Sequence, residues 1–542
     1  MKVSPSTHRS VSSSSPSSSL PARRGPFATR VKWLRDGGRA KLIRHGLRGV
    51  EKESLRVSAD GTLSRRPHPR ALGAALTHPY ITTDYSEALP ELVTPPQRTQ
   101  WETLQFLCDV HAFIARRLDG ELLWPASMPC ELPADDEIPI ASYGPSNLGR
   151  MKTVYRRGLG HRYGRAMQAI AGVHFNYSLP LAFWPEYQAF AGRSEALRDF
   201  RSAELMGLVR NYRRCAWLVT FLNGASPALG RSFRPDGHEL LVELDSDTWH
   251  APYATSLRMS DLGYRNKTQG RLSIRANSLD EYLAGIRSAV TTLEPRYAEI
   301  GVLVDGDYRQ LNANILQIEN EYYSTIRPKP SKANKSRPLV ALAAGGVEYV
   351  EVRTLDLSAT DPVGMNQKEL RFVEALLIYC LLAESPPISA AEQAEIDARD
   401  LTVAREGRRP HLELVDGGRQ RSLSELGHEL LAGVREVAEL LDDDAQGYVA
   451  AVDAAAEALR DPERTPSAAL LAALRTEQAS FFEYTLGLAR SHAAYFRDFA
   501  LDHERERALA ETARRSLEEA EALPGKDPRS FADYLRDYFS AA

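Results

Sequence analysis

Acidic and basic side chains alternate with branched apolar ones in several short segments of the chain. In the segment 348–355, Glu351 and Arg353 lie two positions apart among valine and threonine residues. Alternate side chains of a β-strand point to the same face, so we predict a carboxylate and a guanidinium side by side on one strand. Such a pair can bind a divalent cation and stabilise the charge of a phosphoryl group.

Other segments present metal-binding side chains by the same rule. Glu51 and Glu53 share one face of a predicted strand, and His174 and Asn176 share one face of another. Further acids in apolar surroundings are Asp84, Glu87, Glu91, Glu319 and Glu321. A buried carboxylate is costly unless it is paired or bound to a cation. Together these residues predict an oxygen-rich site for Mg²⁺ or Mn²⁺.

Each pair taken alone also fits a purely structural interpretation. Asp and Glu make up 71 of the 542 residues, so two acids in close succession are frequently a solvated strand edge or part of a structural ion pair. His174 taken alone is more typical of a core histidine. The hypothesis of a metal site therefore depends on the joint pattern.

The familiar nucleotide-binding motifs are absent from the sequence. It contains no GxxxxGK[ST] loop and no GxGxxG between a strand and a helix, so any ATP must bind by another route. Glycines and basic residues crowd the stretch 143–164, where we predict a loop suited to phosphate or carboxylate binding. A solvated surface loop is the alternative.

The composition is that of a globular protein. With 68 Lys and Arg against 71 Asp and Glu and 43% hydrophobic residues, the chain can bury a sizeable core, and it lacks the basic excess of a dedicated nucleic-acid surface. Its most apolar helical stretch, 372–383, is shorter than the ~20 residues that span a bilayer. Four dispersed cysteines indicate reduced thiols rather than a zinc site or a disulfide scaffold.

Three regions differ in composition. Residues 1–32 are rich in serine and arginine and contain no acid, so we expect a disordered extension or a misplaced start codon, although transit peptides share this composition. Residues 33–365 are predicted to form a catalytic α+β body, and residues 366–542 a mainly helical part of the same domain. The predicted helices include 101–118, 278–289, 368–382, 425–441, 467–486 and 503–523.

A series of segments resembles one enzyme family in the order of its motifs. These segments are 49–57, 75–78, 81–84, 124–130, 172–176, 224–227, 252–258, 262–264, 317–321, 326–329 and 348–353. Together they resemble the proteobacterial type of the glutamate-cysteine ligase family, which makes γ-glutamylcysteine for glutathione. Beyond residue 366 the likeness lies in length and helical character.

The resemblance implies a fold and a reaction. The fold is α+β and glutamine-synthetase-like, with an antiparallel sheet curved into a funnel and helices outside it. The reaction transfers the γ-phosphoryl group of ATP to the side-chain carboxylate of L-glutamate, and the amine of L-cysteine then attacks the acyl phosphate. A carboxylate is a poor electrophile, so phosphorylation supplies the leaving group, while Mg²⁺ or Mn²⁺ and an arginine disperse the developing charge.

Matching residue by residue implies roles in the site. The implied metal-binding set is Glu51, Glu53, Asp84, Glu91, His174 and Glu351. Arg353 and Glu351 are the implied catalytic residues, with Arg353 on the transferred phosphoryl group. The implied substrate-binding residues are Tyr155, Arg258, Tyr264 and Tyr323 around the cysteine, and Gln168, Asn176 and Arg156 as further contacts. Structural hydrogen bonding is the alternative for those last three.

Other functions stay open at this point. The same ligase chemistry could use a different amine acceptor, the acids could serve a metal-dependent phosphate hydrolase, and the charged helices could belong to a non-catalytic binding protein. We expect small-molecule substrates only, with no nucleic acid and no membrane as partner. We also expect a monomer in the cytoplasm.

Overall fold

An open antiparallel sheet of six strands carries most of the predicted site residues. The computed structural model describes residues 20, 25–233, 239–263, 272, 274–331, 336–443 and 447–540. Its strands are β1 Leu47–Glu53, β2 Arg56–Val57, β3 Ile81–Thr83, β4 Pro90–Val93, β5 Leu122–Leu123, β6 Val173–Ser178, β7 Ala228–Gly230, β8 Val242–Glu243, β9 Thr248–His250, β10 Leu303–Val304, β11 Asp307–Tyr308, β12 Ile326–Lys329, β13 Tyr349–Leu355, β14 Glu413–Asp416 and β15 Arg419–Ser422. The large sheet has the order β12-β13-β6-β1-β4-β3, and its neighbouring strands run antiparallel.

Helices surround this sheet and form most of the C-terminal third. They are α1 Pro26–Arg35, α2 Gln100–Ala115, α3 Asn147–Tyr163, α4 Phe183–Phe190, α5 Leu197–Asn223, α6 Leu279–Thr291, α7 Pro295–Ile300, α8 Pro338–Gly345, α9 Gln367–Leu382, α10 Ala390–Glu406, α11 Leu423–Leu441, α12 Tyr448–Arg460, α13 Pro466–Glu477, α14 Phe481–Asp498, α15 His503–Lys526 and α16 Phe531–Ser540. Together with the antiparallel sheet they confirm the predicted α+β class.

The two faces of the sheet have different surroundings because side chains alternate along each strand. Phe175 of β6 and Val352 of β13 are fully buried on one face. Helix α5 covers that face, and the hydroxyl groups of Tyr212 and Thr354 lie 2.6 Å apart across the contact. The opposite face is therefore the one on which polar residues of the strands can meet.

Helix α9 joins the C-terminal helices to the sheet region. It begins after Asn366, where the side chains of Asn366 and Glu369 form a reciprocal capping box. Residues 372–382 are buried against α2, α5, α11 and α12, which explains why this stretch is so apolar. No helix among the described residues is long and apolar enough to cross a membrane.

The folded chain begins earlier than we predicted. Helix α1 starts at Pro26, inside the segment 1–32 that we expected to be a disordered extension. Phe27 and Val31 are buried, and the Phe27 ring packs edge-on against Tyr379 of α9 at 5.1 Å. The partner lies about 350 residues away in sequence, so local composition could not indicate it. Residues 1–19 and 21–24 of the predicted extension lie outside the described residues.

The predicted helix 467–486 is in fact two helices. Gln478 adopts the left-handed conformation with φ of 53°, which ends α13. Ser480 and Glu483 then form a capping box that starts α14. The apolar spacing of the two helices is nearly continuous, so the break depends on one residue conformation that periodicity does not reveal.

The predicted phosphate-binding loop at 143–164 is mostly the helix α3. Its glycines allow other segments to approach closely. A Cβ atom at Gly149 would lie 2.3 Å from the carbonyl oxygen of Tyr143, and one at Gly158 would lie 2.2 Å from Oε1 of Gln317. These glycines therefore serve packing, and the loop prediction was wrong.

A buried polar network fastens β1 to three helices. Arg48 of β1 donates to Glu374 of α9 at 2.7 Å, and Gln100 of α2 donates to the same carboxylate at 2.5 Å and to the hydroxyl of Tyr448 in α12 at 2.7 Å. Arg48 and Glu374 are almost inaccessible to solvent. Removing one partner of such a pair leaves the other charge buried without compensation.

We expect Glu374→Ala to lower the free energy of unfolding by about 3–5 kcal/mol, because Arg48 then loses its counter-charge in an apolar setting. Urea unfolding followed by circular dichroism measures this. The matched control is Glu425→Ala, since Glu425 is exposed and pairs with Arg421 on the surface, with an expected loss of about 0–1 kcal/mol. Equal losses in both variants would contradict the role assigned to the buried network.

Candidate active site

Three predicted residues from three strands come together on the polar face of the sheet. Glu51 of β1, His174 of β6 and Glu351 of β13 offer ligand atoms that all lie within 4.8 Å of one another. Nδ1 of His174 is 3.3 Å from a carboxylate oxygen of Glu51 and 4.0 Å from one of Glu351. This donor set can hold a divalent metal ion.

Strand register explains why these residues meet. Glu51 is directly opposite His174, and Glu351 is directly opposite Asn176 on the same strand as His174. Alternation then places His174 and Asn176 on the same face, as predicted. Nδ2 of Asn176 donates to Glu51 at 3.0 Å, so the contact that the structure gives Asn176 is with a candidate metal ligand.

Three cations surround the carboxylate of Glu351. Lys329 lies 3.0 Å from it, Arg353 3.3 Å and Arg327 3.9 Å. Burial acts to raise the pKa of Glu351, but the positive charges of Lys329, Arg353 and Arg327 hold that pKa well below its usual value. Glu351 is therefore ionised, and Arg353 stands beside it as predicted.

Sequence reasoning missed Lys329 and Arg327 as members of the site. They lie two positions apart on β12, whose register places Arg327 opposite Glu351. The alternation rule that found Glu351 and Arg353 would have found this pair as well. The segment 326–329 is short and contains a proline, which weakened its strand signal.

Glu53, Asp84 and Glu91 form a second acidic group next to the first. Glu53 of β1 is directly opposite Glu91 of β4, and Asp84 lies in the turn between β3 and β4. Burial and the charge of Asp84 raise the pKa of Glu53 to about 8, and burial together with Glu51, Asp84 and Glu53 raises that of Glu91 well above its usual value. The predicted acids do converge, and they repel one another.

This arrangement fits a hard divalent cation. Burial and Arg353 lower the pKa of His174, so its ring is neutral at pH 7 and can offer a lone pair. Oδ1 of Asn176 is buried and has no hydrogen-bond partner among the described residues. The ionised Glu351, the raised pKa values of Glu53 and Glu91 and the amide oxygen of Asn176 are together the chemistry that Mg²⁺ or Mn²⁺ would satisfy.

Residues predicted to bind the substrates lie beside the acidic groups, with Tyr155 and Tyr323 predicted to receive the cysteine and Gln168 and Arg156 predicted as further contacts. Nε2 of Gln168 donates to the hydroxyl of Tyr323 at 3.2 Å. Arg156 donates to the backbone carbonyl of Asp84, and its guanidinium carbon lies 6.0 Å from the ring centre of Tyr155. These four side chains therefore line one region next to Asp84. The predicted contact Tyr264 lies outside the described residues.

Arg258 lies next to the backbone of Arg353. It is almost fully buried, with Nη1 3.6 Å from Asp356 and Nη2 donating to the backbone carbonyl of Arg353 at 3.0 Å. A Cβ atom at Gly172 would lie 2.0 Å from Nη2 of Arg258, and the Gly172 amide donates to Glu53 at 2.7 Å. Arg258 thus contacts the backbone of Arg353 and lies against Gly172, whose amide holds Glu53.

Three other acids singled out in the sequence have structural partners instead. Glu87 accepts hydrogen bonds from the backbone amides of His68 and Ser142. Glu319 and Glu321 lie in a 3-10 turn, Glu319–Glu321, and not on a strand. Glu319 pairs with Arg337 and Glu321 with Arg162, each at 2.9 Å. These two acids therefore belong to structural ion pairs.

The fold and the site together define a class of protein. Carboxylates, a neutral imidazole and an arginine on the open face of an antiparallel sheet are typical of metal-dependent enzymes that transfer phosphoryl groups.

Comparison with known proteins gives the family. The glutamate-cysteine ligase family model matches residues 31–403. The chain is 47% identical to the glutamate–cysteine ligase of Azotobacter vinelandii over 517 residues, which cover 94% of this chain and 98% of that protein. It is 46% identical to the enzyme of Alcanivorax borkumensis over 499 residues, covering 91% and 95%. The chain therefore belongs to the glutamate-cysteine ligase family.

Solved structures share this fold. The structure matches a crystal structure of glutamate–cysteine ligase from Francisella tularensis in complex with AMP with a TM-score of 0.87 and 33% identity, over 92% of this chain and 98% of that one. A bifunctional glutathione synthetase from Pasteurella multocida, at 23% identity, shares the fold with a TM-score of 0.66 over 85% of this chain and 53% of that one.

The second acidic group predicts how stability depends on pH in the metal-free protein. Glu53 ionises near pH 4.5 in the unfolded chain and near pH 8 in the folded one, so the stability it contributes is complete below pH 4.5 and is lost as the pH rises through about 8. We expect Tm in EDTA to fall by a few degrees over this interval, and saturating MgCl₂ to reverse the fall.

Thermal unfolding of Glu53→Gln tests the cause, because an amide has no proton to lose. Its Tm in EDTA should depend less on pH than that of the unaltered protein. Glu463→Gln, at an exposed side chain, is the control and should keep the original profile. A Glu53→Gln profile identical to the original would show that Glu53 is not the titrating group.

Proposed function

We propose that the protein is an ATP-dependent ligase that joins the γ-carboxyl group of L-glutamate to the amine of L-cysteine. The reaction proceeds through γ-glutamyl phosphate and yields γ-glutamylcysteine, ADP and phosphate, the first step of glutathione biosynthesis. The observation that carries this proposal is Arg353, 3.3 Å from Glu351 and 3.4 Å from His174 within the candidate metal cluster. Membership of the glutamate-cysteine ligase family supports it.

The phosphoryl-transfer half of the reaction needs positive charge where negative charge builds up. Glu51, His174 and Glu351 would hold one divalent ion, and Glu53, Asp84 and Glu91 would hold further positive charge. Such an ion, Mg²⁺ or Mn²⁺, supplies charge neutralisation on the phosphates when bound. Arg353 directs its guanidinium at the same place and stabilises the transferred group, while Lys329 and Arg327 keep Glu351 ionised.

The amide-forming half needs an amine held next to the activated carboxyl group. Tyr155, Tyr323 and Gln168 lie beside Asp84 and would receive the acceptor, and Arg258 has the fork geometry that pairs with a carboxylate. Arg258 also donates to the backbone of Arg353. A carboxylate bound to Arg258 would therefore lie one hydrogen bond away from the backbone of Arg353, the residue proposed to stabilise the phosphoryl group.

The proposal also includes the nucleotide co-substrate, the cellular compartment and the oligomeric state. The structure from Francisella tularensis is a complex with AMP, which supports an adenine nucleotide as the co-substrate of this chain. The four cysteines are unpaired, in keeping with action in the reducing cytoplasm. Action as a monomer stays a prediction.

The first experiment measures ADP release by the purified protein with ATP and MgCl₂. We expect strong release only when glutamate and an amine acceptor are both present, because the acyl phosphate is consumed by amine attack. Cysteine is compared with 2-aminobutyrate and with other amino acids at equal concentration. Higher turnover with another amine would show that cysteine is not the preferred acceptor. ADP release without glutamate would indicate a phosphate hydrolase.

We expect Arg353→Lys to lower kcat about 100- to 1,000-fold, because lysine loses the planar fork that faces the developing charge. Steady-state kinetics measure this, with Tm recorded to confirm that the variant is folded. Arg421→Lys, at a partly exposed arginine of β15 that pairs with Asp416 and Glu425, is the matched control and should keep full activity. A kcat for Arg353→Lys close to the original would remove Arg353 from the proposed mechanism.

A further inference from the structure

The last helix of the described chain packs on the elements that carry the acceptor side of the site. Helix α16 buries Phe531 and Leu535. These side chains form a small hydrophobic cluster with Met151 and Val154 of α3 and with Leu311, separate from the main core. An amphipathic helix of this kind adds apolar contacts to α3 without extending the sheet.

Tyr155 connects this small cluster to the main core. It follows Val154 directly on α3, and its ring packs against both clusters. The Phe531 ring lies edge-on to Tyr308 at 5.1 Å and 4.3 Å from the guanidinium carbon of Arg150. The start of α3 is also fixed, because Nδ2 of Asn147 donates to the carbonyl of Arg529 at 3.0 Å.

The other end of α16 is tied to the turn that precedes Tyr323. Arg337 is buried, pairs with Glu319 at 2.9 Å and donates to the carbonyl oxygen of Tyr538 at 2.9 Å. Its guanidinium carbon also lies 4.6 Å from the centre of the Tyr538 ring. Glu319 opens the 3-10 turn Glu319–Glu321, which is followed by Tyr322 and then Tyr323.

We propose that α16 is the positioning element of the acceptor pocket. Phe531 and Leu535 hold α3 in place behind Tyr155, and Arg337 holds the turn before Tyr323, so both tyrosines depend on one support. This inference rests on the proposed role of Tyr155 and Tyr323 in receiving the amine. Glu51, His174, Glu351 and Arg353, which are assigned to phosphoryl transfer, lie instead on the strands β1, β6 and β13.

The test is Phe531→Ala in the full-length protein, with steady-state kinetics for each substrate in turn. We expect KM for cysteine to rise about tenfold, since a displaced contact residue weakens binding of the group it orients. The values of kcat and of KM for ATP should stay within about twofold of the original. Phe531→Leu keeps an apolar side chain at the position and should recover most of the affinity for cysteine.

A matched control separates positioning from loss of stability. Leu509→Ala removes a buried apolar side chain from α15, which packs on the main core, and should lower Tm with no change in KM for cysteine. If Phe531→Ala lowers Tm yet leaves KM for cysteine unchanged, or raises all KM values alike, the inference is overturned. An unaltered protein that releases no ADP with glutamate and cysteine would overturn the proposed function as well.

Discussion

Mutual repulsion among buried carboxylates is the constraint on which the rest of this structure depends. Glu53 and Glu91 are directly opposite each other on adjacent strands, and the charges of Asp84 and Glu51 also act on Glu91. Like charges at such distances in a desolvated setting favour protonation or a bound cation. The sheet therefore has to be held together from its other face.

That support comes from helices behind the strands. The Arg48–Glu374 network ties β1 to α2, α9 and α12, and Tyr212 of α5 meets Thr354 of β13. These contacts are buried and hydrogen-bonded, so they resist the separation of strands that repulsion on the polar face would favour. Helix α9 is the centre of this support. Because it is buried on all sides along residues 372–382, its sequence is strongly apolar.

Sequence reasoning could predict what local periodicity determines. Alternation along β6 and β13 predicted that His174 shares a face with Asn176 and Glu351 with Arg353, and both predictions are confirmed. Contacts between residues far apart in sequence could not be predicted in this way. The start of α1 depends on Tyr379, the close packing of α3 depends on Gln317, and the buried position of Arg258 depends on the missing side chain of Gly172.

Gly172 lies between two residues that are assigned to different parts of the candidate site. On one side its amide holds Glu53, and on the other its bare Cα makes room for Arg258, so no larger residue fits there. Tyr155 and Tyr323, by contrast, come from a helix and a turn outside the sheet. Under the roles proposed for these residues, a descendant could change its amine substrate by altering those outer elements while keeping the strand residues that activate the carboxylate. Such modularity is a route by which one fold diversifies into related ligases.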